Sequence, residues 1–372
     1  MRACAVALSG ALAVFTACGA PAPPKRSTPP SGTDSGLDAD AGLDQRREDA
    51  LRRARVWSEP RIPIASADLG TNPPDAGELA EDRDVSCEFR LRASVGWSPK
   101  FECVLASGEE VKVKYGHNSV EVFGEVAATR LLSALGFGAD RMYVVRSVRC
   151  HGCPAFPYPR MEVLDAVESV ARHDTTFTMA VIERKMAGRA IKGQHAYGWT
   201  WSDLARIDPA AGGSSRTEVD ALRLMGMFLN DWDNKAPNQR LTCLDPGVDT
   251  EPCARPFALL QDVGETFGPR GVDLDGWRRT PIWSDPATCH LSMKDLPYAG
   301  ATFAEADIGE AGRRFLGDRL RQLSRAQTVA LFTGARFAAY ARQSEAGRSA
   351  ENWANVFEER VREIVDRAPC PR

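Results

Sequence analysis

The chain has 372 residues, of which 43% are hydrophobic and 26% charged, and its formal net charge is -3 at pH 7. This length suffices for one large two-part domain or for two ordinary domains, with tails in addition. A nucleic-acid-binding protein would carry a basic face, so the slightly acidic balance argues against that class of partner. The composition predicts a water-soluble globular protein.

The N-terminus has the features of an export signal. Arg2 is followed by an apolar run over residues 5–15, too short to span a bilayer but typical of a signal-peptide core. Small residues then precede Cys18, and this pattern resembles a bacterial lipobox. The resemblance implies a signal peptide over residues 1–18 and a lipidated Cys18 that anchors the protein to a membrane of the bacterial cell envelope. Phe15 stands where a lipobox usually has Leu, so ordinary secretion with cleavage nearby is the alternative.

Residues 19–83 are rich in Pro, Ser, Gly, Asp and Arg and contain few large apolar side chains. Such a segment buries too little surface to offset the entropy that it would lose on ordering. We therefore expect a flexible tether between the membrane anchor and the folded domain. A charged run over residues 45–56 is compatible with a short helix, although such runs are usually solvated.

Cysteine usage agrees with export. Apart from Cys4 and Cys18 the chain has eight cysteines, and an even number in an exported protein favours disulfide bonds. The alternative for the Cys-x-x-Cys pair is half of a zinc site, but no second such pair or paired-His segment completes it. Pairing nearest neighbours in sequence gives Cys87–Cys103, Cys150–Cys153, Cys243–Cys253 and Cys289–Cys370.

Residues 84–187 alternate between apolar and polar side chains in short runs, which predicts strands. One helix interrupts them: Asn118 or Ser119 can cap it, an apolar face extends over residues 122–135, and Gly136 closes it. The predicted strands cover residues 89–95, 101–105, 111–114, 142–148 and 177–183.

The second half of the chain is mainly helical in pattern. An amphipathic helix over residues 218–229 leads directly into a polar segment. An irregular stretch with Trp and Pro, residues 268–297, separates it from the later helices. These are predicted over residues 311–323, 325–340 and 350–367.

Two motifs carry the candidate chemistry. The first contains Asp233, Lys235 and Asn238 in the spacing Asp-x-Lys-x-x-Asn, directly after the helix of residues 218–229. The second is an apolar run over residues 257–261 that delivers an Asp-x-Gly into a turn at Asp262. Together they resemble the catalytic loop and the metal-binding loop of the protein-kinase-like superfamily.

The resemblance implies a role for each side chain. Asp233 would orient the acceptor hydroxyl and take its proton, and Lys235 would place a cation against the transferred phosphate. Asn238 and Asp262 would hold Mg²⁺ or Mn²⁺ through oxygen ligands. The implied reaction moves the γ-phosphate of ATP to a hydroxyl acceptor.

The resemblance also implies an α+β, two-lobed protein-kinase-like fold. Residues 84–187 would form a small β-rich N-lobe with one helix, and residues 188–372 a larger, mainly helical C-lobe, joined by a hinge over residues 183–188. Trp232 departs from the usual Arg before the catalytic Asp, and Val263 from the usual Phe after the metal-binding Asp. Both departures resemble atypical and bacterial branches, such as lipid-kinase-like, HipA-like and secretory-pathway kinases.

The small lobe of such a fold supplies a strand Lys paired with a helix Glu. Lys112 and Lys114 share one face of a strand, and Glu121 and Glu125 share one face of the helix. We expect Lys114 to pair with Glu125, which lies a full turn inside the helix, and Lys112 with Glu121 as the reserve pair. Glu183, at the start of the hinge, is placed with them as a nucleotide-binding residue. Exposure to solvent is the alternative for each of these charges.

Two other interpretations stay open. The turn over residues 96–100 has one glycine rather than a Gly-x-Gly-x-x-Gly cradle, and little ATP is expected outside the cytoplasm. These points favour a catalytically inactive, kinase-like binding or scaffold lipoprotein. The third interpretation is an unrelated α+β surface protein whose Asp-rich turns arise by chance or bind Ca²⁺.

Overall fold

The structure, a computed structural model, places most of the chain and leaves its extreme N-terminus out. Within the described residues the protein is α+β, as predicted. The predicted signal peptide with Cys18, and the first part of the predicted tether, lie outside them. No described helix is both long enough and apolar enough to cross a membrane. The described residues are 35–72, 79–94, 96, 98–158, 171–194, 197–247, 251–269, 271–296 and 301–371, with side chains from residue 42 onwards.

The first half is built on a mixed seven-stranded sheet. Its strands are β1 Asp84–Arg90, β2 Lys100–Leu105, β3 Glu110–Tyr115, β4 Arg141–Val145, β5 Ser147–Pro154, β6 Arg172–Phe177 and β7 Ala180–Arg184. They lie in the order β4-β7-β3-β2-β1-β5-β6, and only the β1–β5 pair among them is parallel. Two smaller sheets follow, formed by β8 Arg189–Ala190, β9 Gln239–Cys243 and β10 Pro256–Leu260, and by β11 His290–Leu291 and β12 Ala306–Asp307.

The described helices lie mostly in the second half. The predicted helices over residues 122–135, 218–229, 311–323 and 350–367 each have both ends within three residues of the prediction. The helix predicted over residues 325–340 ends six residues earlier. The helices are α1 Ser35–Arg52, α2 Gly124–Ala134, α3 Arg216–Leu229, α4 Leu274–Arg279, α5 Glu310–Leu320, α6 Arg325–Gly334 and α7 Ala350–Val365. A 3-10 turn, Val120–Val122, precedes α2 and takes the place of its predicted first turn.

The seven-stranded sheet separates two cores. Val113 and Ile182 lie in a small core on one face. Val181 lies on the other face, in a large core that contains α2 and the helices of the second half. Lys112 and Lys114 alternate with the small-core residues of β3, so both lysines lie on the face that carries α2.

Three strand predictions differ from the structure at their ends. The first strand begins earlier than the predicted 89–95, because buried residues already alternate from Val85 onwards. Residues 142–148 divide at Arg146 into β4 and β5, which pair with different neighbours. Residues 177–183 divide likewise, since β6 joins β5 while β7 joins β3 and β4. In both cases one apolar run supplies two elements of the sheet.

The prediction of a flexible tether is wrong for residues 42–72 and 79–83. Leu51 is fully buried in the large core. Arg47 forms an ion pair with Asp203 at 3.1 Å. The charged composition concealed this packing, because α1 turns its few apolar side chains to one side and pairs its charges with the domain. The folded domain therefore begins well before residue 84.

All four predicted cysteine pairs are disulfide-bonded. Their Cα–Cα distances are 5.7, 5.8, 5.6 and 5.6 Å in chain order. The bond between Cys150 and Cys153 excludes a zinc site at these thiols. The Cys289–Cys370 bond spans 81 residues and ties the segment after α7 to the loop before β11.

Candidate functional site

Helix α3 delivers the first motif. Ser215 caps its start in a complete capping box with Glu218. Its end is fixed by Asn230, which takes a left-handed conformation with φ of 60°, and Asn tolerates this conformation better than most residues. The N–H of Asp231 then donates to the carbonyl of Gly226 at 3.0 Å. The polar segment therefore leaves the helix in one fixed direction.

The predicted catalytic residues are gathered into one cluster. The Nζ of Lys235 lies 3.0 and 2.8 Å from the two carboxylate oxygens of Asp233. The amide nitrogen of Asn238 donates to Asp233 Oδ2 at 3.1 Å. The carbonyl of Asn238 accepts from the N–H groups of Gln261 and Asp262 at 2.8 and 3.0 Å. This backbone junction holds the second motif against the first.

Asn234 anchors the first motif, a role that the sequence analysis missed. Its side-chain oxygen accepts from the N–H groups of Thr302 and Phe303, both at 2.8 Å. Its amide nitrogen donates to the carbonyl of Asp231 at 2.7 Å. Thr302 and Phe303 lie 68 and 69 residues away from Asn234 in sequence, and no local pattern could have identified them as its partners.

Lys114 lies at the centre of the site. Its ammonium group forms an ion pair with Glu125 of α2, as predicted. It also lies 2.9 Å from Glu121, 3.2 Å from Glu183 and 4.0 Å from Asp262. The preferred Glu125 and the reserve Glu121 therefore share one amine, and the second motif reaches the same point.

Two further lysines complete the ion pairs. Lys112 pairs with Glu183 at 3.0 Å, rather than with Glu121 as the reserve assignment had it. Lys100 lies 3.4 Å from Glu121 and is buried, although the sequence analysis gave it no role. The feature that places Lys100 in the site is its position in the sheet, since it stands opposite Lys114 in the β2–β3 register. Recognising this required the strand pairing, which the sequence did not specify.

Burial shifts the pKa values of the carboxyl groups at the site in both directions. Burial raises the pKa of Asp231 well above its ordinary value. It also raises the pKa of Glu125, against the attraction of Lys114. Burial opposes ionisation of Glu121 too, but Lys114 and Lys100 together lower its pKa to about 2. Against burial, Lys112 and Lys114 likewise lower the pKa of Glu183. The cations of the site therefore favour the ionised forms of Glu121 and Glu183.

A similar contrast holds around the first motif. Burial raises the pKa of Asp233, although Lys235 and Asn238 both favour its charged form. Burial, together with the charges of Glu121 and Asp233, raises the pKa of Glu265 to about 8. Glu265 lies three residues after Asp262, and no pattern in the sequence indicated it.

Glu265→Gln is expected to reduce the decrease in the free energy of unfolding that the wild type shows as the pH rises. The pKa of about 8 in the folded protein exceeds the ordinary 4.5, so the folded state retains the proton between these values. The free energy of unfolding then falls as the pH rises from about 4.5 through about 8. In EDTA-treated protein, urea unfolding should show the wild type losing about 2–4 kcal/mol relative to Glu265→Gln between these limits. Parallel pH profiles would contradict this, and the exposed Glu345→Gln is the control.

The carboxylates of the site are chemically compatible with a hard divalent cation. Oxygen atoms of Glu121, Glu125 and Asp262 lie within 4.8 Å of one another. The Oε1 atom of Glu125 is buried without a hydrogen-bond partner among the described residues, and Mg²⁺ and Mn²⁺ accept such ligands. Of the two predicted metal ligands, Asp262 belongs to this group of carboxylates. Asn238 does not belong to it, and its amide nitrogen donates to Asp233.

A second constellation lies at the β1–β5–β6 end of the sheet, where the side chains are partly exposed. Ser86 Oγ is 2.9 Å from His151 Nε2, and His151 Nδ1 is 2.9 Å from Asp174. The spacing matches a nucleophile, a base and an orienting carboxylate. However, the side chains of His151 and Asp174 are 31% and 46% exposed, whereas the carboxylate of a hydrolytic triad is buried. We therefore assign these residues to cross-strand contacts of β1, β5 and β6.

No family model matches this sequence, and no curated protein is significantly similar to it.

Proposed function

We propose that this protein is an exported, lipid-anchored phosphotransferase of the protein-kinase-like type, which moves the γ-phosphate of ATP to a hydroxyl acceptor. One observation carries the proposal: the amine of Lys114 is paired with Glu125 and lies 4.0 Å from Asp262. A strand, a helix and a loop thus converge with the three residue types that a kinase-like site uses to hold phosphates and metal.

The order of elements supports a two-lobed arrangement. Strands β1 to β3, helix α2 and then β4 and β7 follow the order of a kinase small lobe, and β7 returns to pair with β3 and β4. The β5–β6 hairpin is an addition at the β1 edge. We propose that residues 84–187 are the small lobe, residues 188–372 the large lobe and residues 183–188 the hinge. Residues 42–72 and 79–83 would then pack against these lobes.

Each side chain has a role in the proposed reaction. Bound ATP and Mg²⁺ or Mn²⁺ would supply the phosphoryl group and offset its developing charge. Lys114, held by Glu125, would bind the α/β-phosphates, and Asp262 with Asn238 would hold the metal. Asp233 would orient the acceptor hydroxyl and accept its proton.

The proposed location outside the cytoplasm agrees with the disulfide bonds, since such bonds persist in oxidising compartments. Cys18 would attach the chain to a membrane of the bacterial cell envelope. Its partners would then be a nucleotide, an acceptor with a hydroxyl group and the lipid surface.

A second function is favoured by the enclosure of Lys114. Its side chain is 1% exposed and contacts four carboxylates, so a phosphate reaches it only if a cation or a rearrangement offsets their charge. If neither occurs, the protein is a kinase-like scaffold that binds a partner without catalysis.

Calorimetric titration with ATP and Mn²⁺ distinguishes the two functions. The chain without residues 1–18, with its disulfides intact, is expected to bind ATP and Mn²⁺ in the wild type. Asp262→Ala should weaken binding by at least about tenfold, because it removes a charged ligand. The exposed Asp295→Ala is the matched control. Absence of binding to the wild type at millimolar ATP would contradict the phosphotransferase and favour the scaffold.

A further inference from the structure

We infer that residues 54–72 and 79–83, named here the N-terminal belt, are a positioning element that holds α2 so that Glu125 stays paired with Lys114. The belt is the part of the predicted tether that contacts α2. Its mechanical role applies to a kinase and to a scaffold alike. Only its consequence for nucleotide binding rests on the proposed function.

The first contact of the belt is with the C-terminal end of α2. The indole N–H of Trp57 donates to the carbonyl of Leu135, which caps the helix, at 2.8 Å. The N–H of Ser58 donates to the carbonyl of Gly136 at 3.0 Å. Carbonyls at a helix C-terminus lack partners within the helix, so these bonds fix the position of that end.

The second contact is with the side of α2. Arg130 donates to the carbonyl of Gly70 at 2.6 Å and forms an ion pair with Glu81 at 2.8 Å. Its side chain is 2% exposed. Arg130 follows Glu125 by five residues, which places it about 140° around the helix axis. The belt therefore holds the side of α2 that faces away from Lys114.

The belt is itself fixed to the helical half of the protein. Arg55 exchanges two backbone hydrogen bonds with the edge of β10, at 2.9 and 2.8 Å. Further along, the carbonyls of Ile64 and Ala67 accept from the side chain of Gln327 on α6, at 2.9 and 2.8 Å. The belt thus runs between two anchors in the helical half and touches α2 between and after them.

The far end of the belt is fixed to the sheet. The carboxylate of Glu81 accepts from the N–H of Val144 in β4 at 3.0 Å, and the amide of Asn72 donates to the carbonyl of Met142 at 2.6 Å. An outward rotation of α2 would break the Arg130 and Trp57 contacts together. The Lys114–Glu125 pair is consequently built into the folded state rather than formed by a switch.

The reactivity of Lys114 toward an amine-acylating reagent tests the inference without nucleotide. Lys112 on the same strand, whose side chain is 21% exposed against 1% for Lys114, is the internal reference. In Arg130→Met, acylation of Lys114 relative to Lys112, measured by peptide mass spectrometry, is expected to rise about tenfold, because charge-assisted bonds that restrain α2 are lost. An unchanged ratio would overturn the inference.

Trp57→Phe provides the second variant, since it keeps an aromatic ring and removes only the bond to Leu135. In this variant we expect acylation of Lys114 relative to Lys112 to rise about threefold. Arg52→Ala is the control, because its exposed pair with Asp208 belongs to α1 and does not touch α2; its ratio should equal that of the wild type. If Arg130→Met exposes both lysines equally through unfolding, Trp57→Phe decides, and an unchanged ratio in that variant rejects the role of the belt.

Nucleotide binding to the same variants is measured in a separate experiment. If ATP with Mn²⁺ binds the wild type, both variants should bind it more weakly. If the wild type binds no nucleotide, the phosphotransferase fails, while the acylation ratio still decides the role of the belt.

Discussion

Asp233→Asn is expected to reduce phosphoryl transfer by about 100- to 10,000-fold while ATP and Mn²⁺ still bind. The amide is similar in size to the carboxylate but cannot accept the proton of the acceptor, and general-base catalysis contributes factors of this order. Because Lys235 and Asn238 contact the side chain by hydrogen bonds, an amide also weakens the local charge pairing. The measurement is transfer of labelled γ-phosphate to water, to the chain itself and to a panel of hydroxyl acceptors.

Asp208→Asn is the matched control, because Asp208 is partly exposed and pairs only with Arg52 among the ion pairs described. It should transfer phosphate at the rate of the wild type. Equal rates in wild type and Asp233→Asn would remove Asp233 from the mechanism. Retained nucleotide binding in the inactive variant would show that the loss concerns the chemical step.

Arg360→Met is expected to lower the free energy of unfolding by about 3–5 kcal/mol. The Arg360 guanidinium donates to the carbonyls of Met227 and Phe228 at the end of α3, at 2.9 and 3.2 Å. It also donates to the carbonyls of Trp277 and Thr280 at the end of α4, both at 2.7 Å. One buried side chain thus donates to carbonyls at the ends of two helices, and at α3 it shares them with the N–H of Asn230 and the indole N–H of Trp277. Burial lowers its pKa to about 10.

Urea unfolding with intact disulfides measures this loss. Arg362→Met on the same helix is the control, since Arg362 is exposed, and it should unfold within about 0.5 kcal/mol of the wild type. Arg360→Lys should not restore stability, because a single ammonium group cannot reach the carbonyls that the planar guanidinium spans. A loss below about 1 kcal/mol in Arg360→Met would contradict the double-capping role.

The sequence predicted those parts of the site that depend on local periodicity. Lys114 and Glu125 were placed by the two-residue repeat of a strand and the four-residue repeat of a helix. The first motif was placed by its spacing and by the amphipathic helix before it. Both kinds of pattern lie within a few residues, so one sequence sufficed. The nearest-neighbour disulfide pairs succeeded for a related reason in three cases, where the cysteines are 3 to 16 residues apart.

The missed features depend on register and on distant contacts. Lys100 enters the site because β2 and β3 align it with Lys114. Asn234 holds the motif through the backbone N–H groups of Thr302 and Phe303. The N-terminal belt escaped prediction because its composition resembles a linker, while its role comes from hydrogen bonds to helix ends and carbonyls that composition does not reveal. Low hydrophobicity indicates disorder only when the polar groups have no folded surface to bind.

The Cys289–Cys370 bond has a consequence for biosynthesis. The interval that it closes contains α5, α6 and α7, and thus Arg360. Because synthesis proceeds from the N-terminus, both motifs leave the ribosome before Arg360, which supports the end of α3. Until then the carbonyls of Met227 and Phe228 lack the hydrogen bonds from Arg360, and among the described residues only the N–H of Asn230 and the indole N–H of Trp277 support them. Full support of the α3 end therefore waits for the final helix, and the Cys289–Cys370 bond then ties the segment after that helix to the loop before β11.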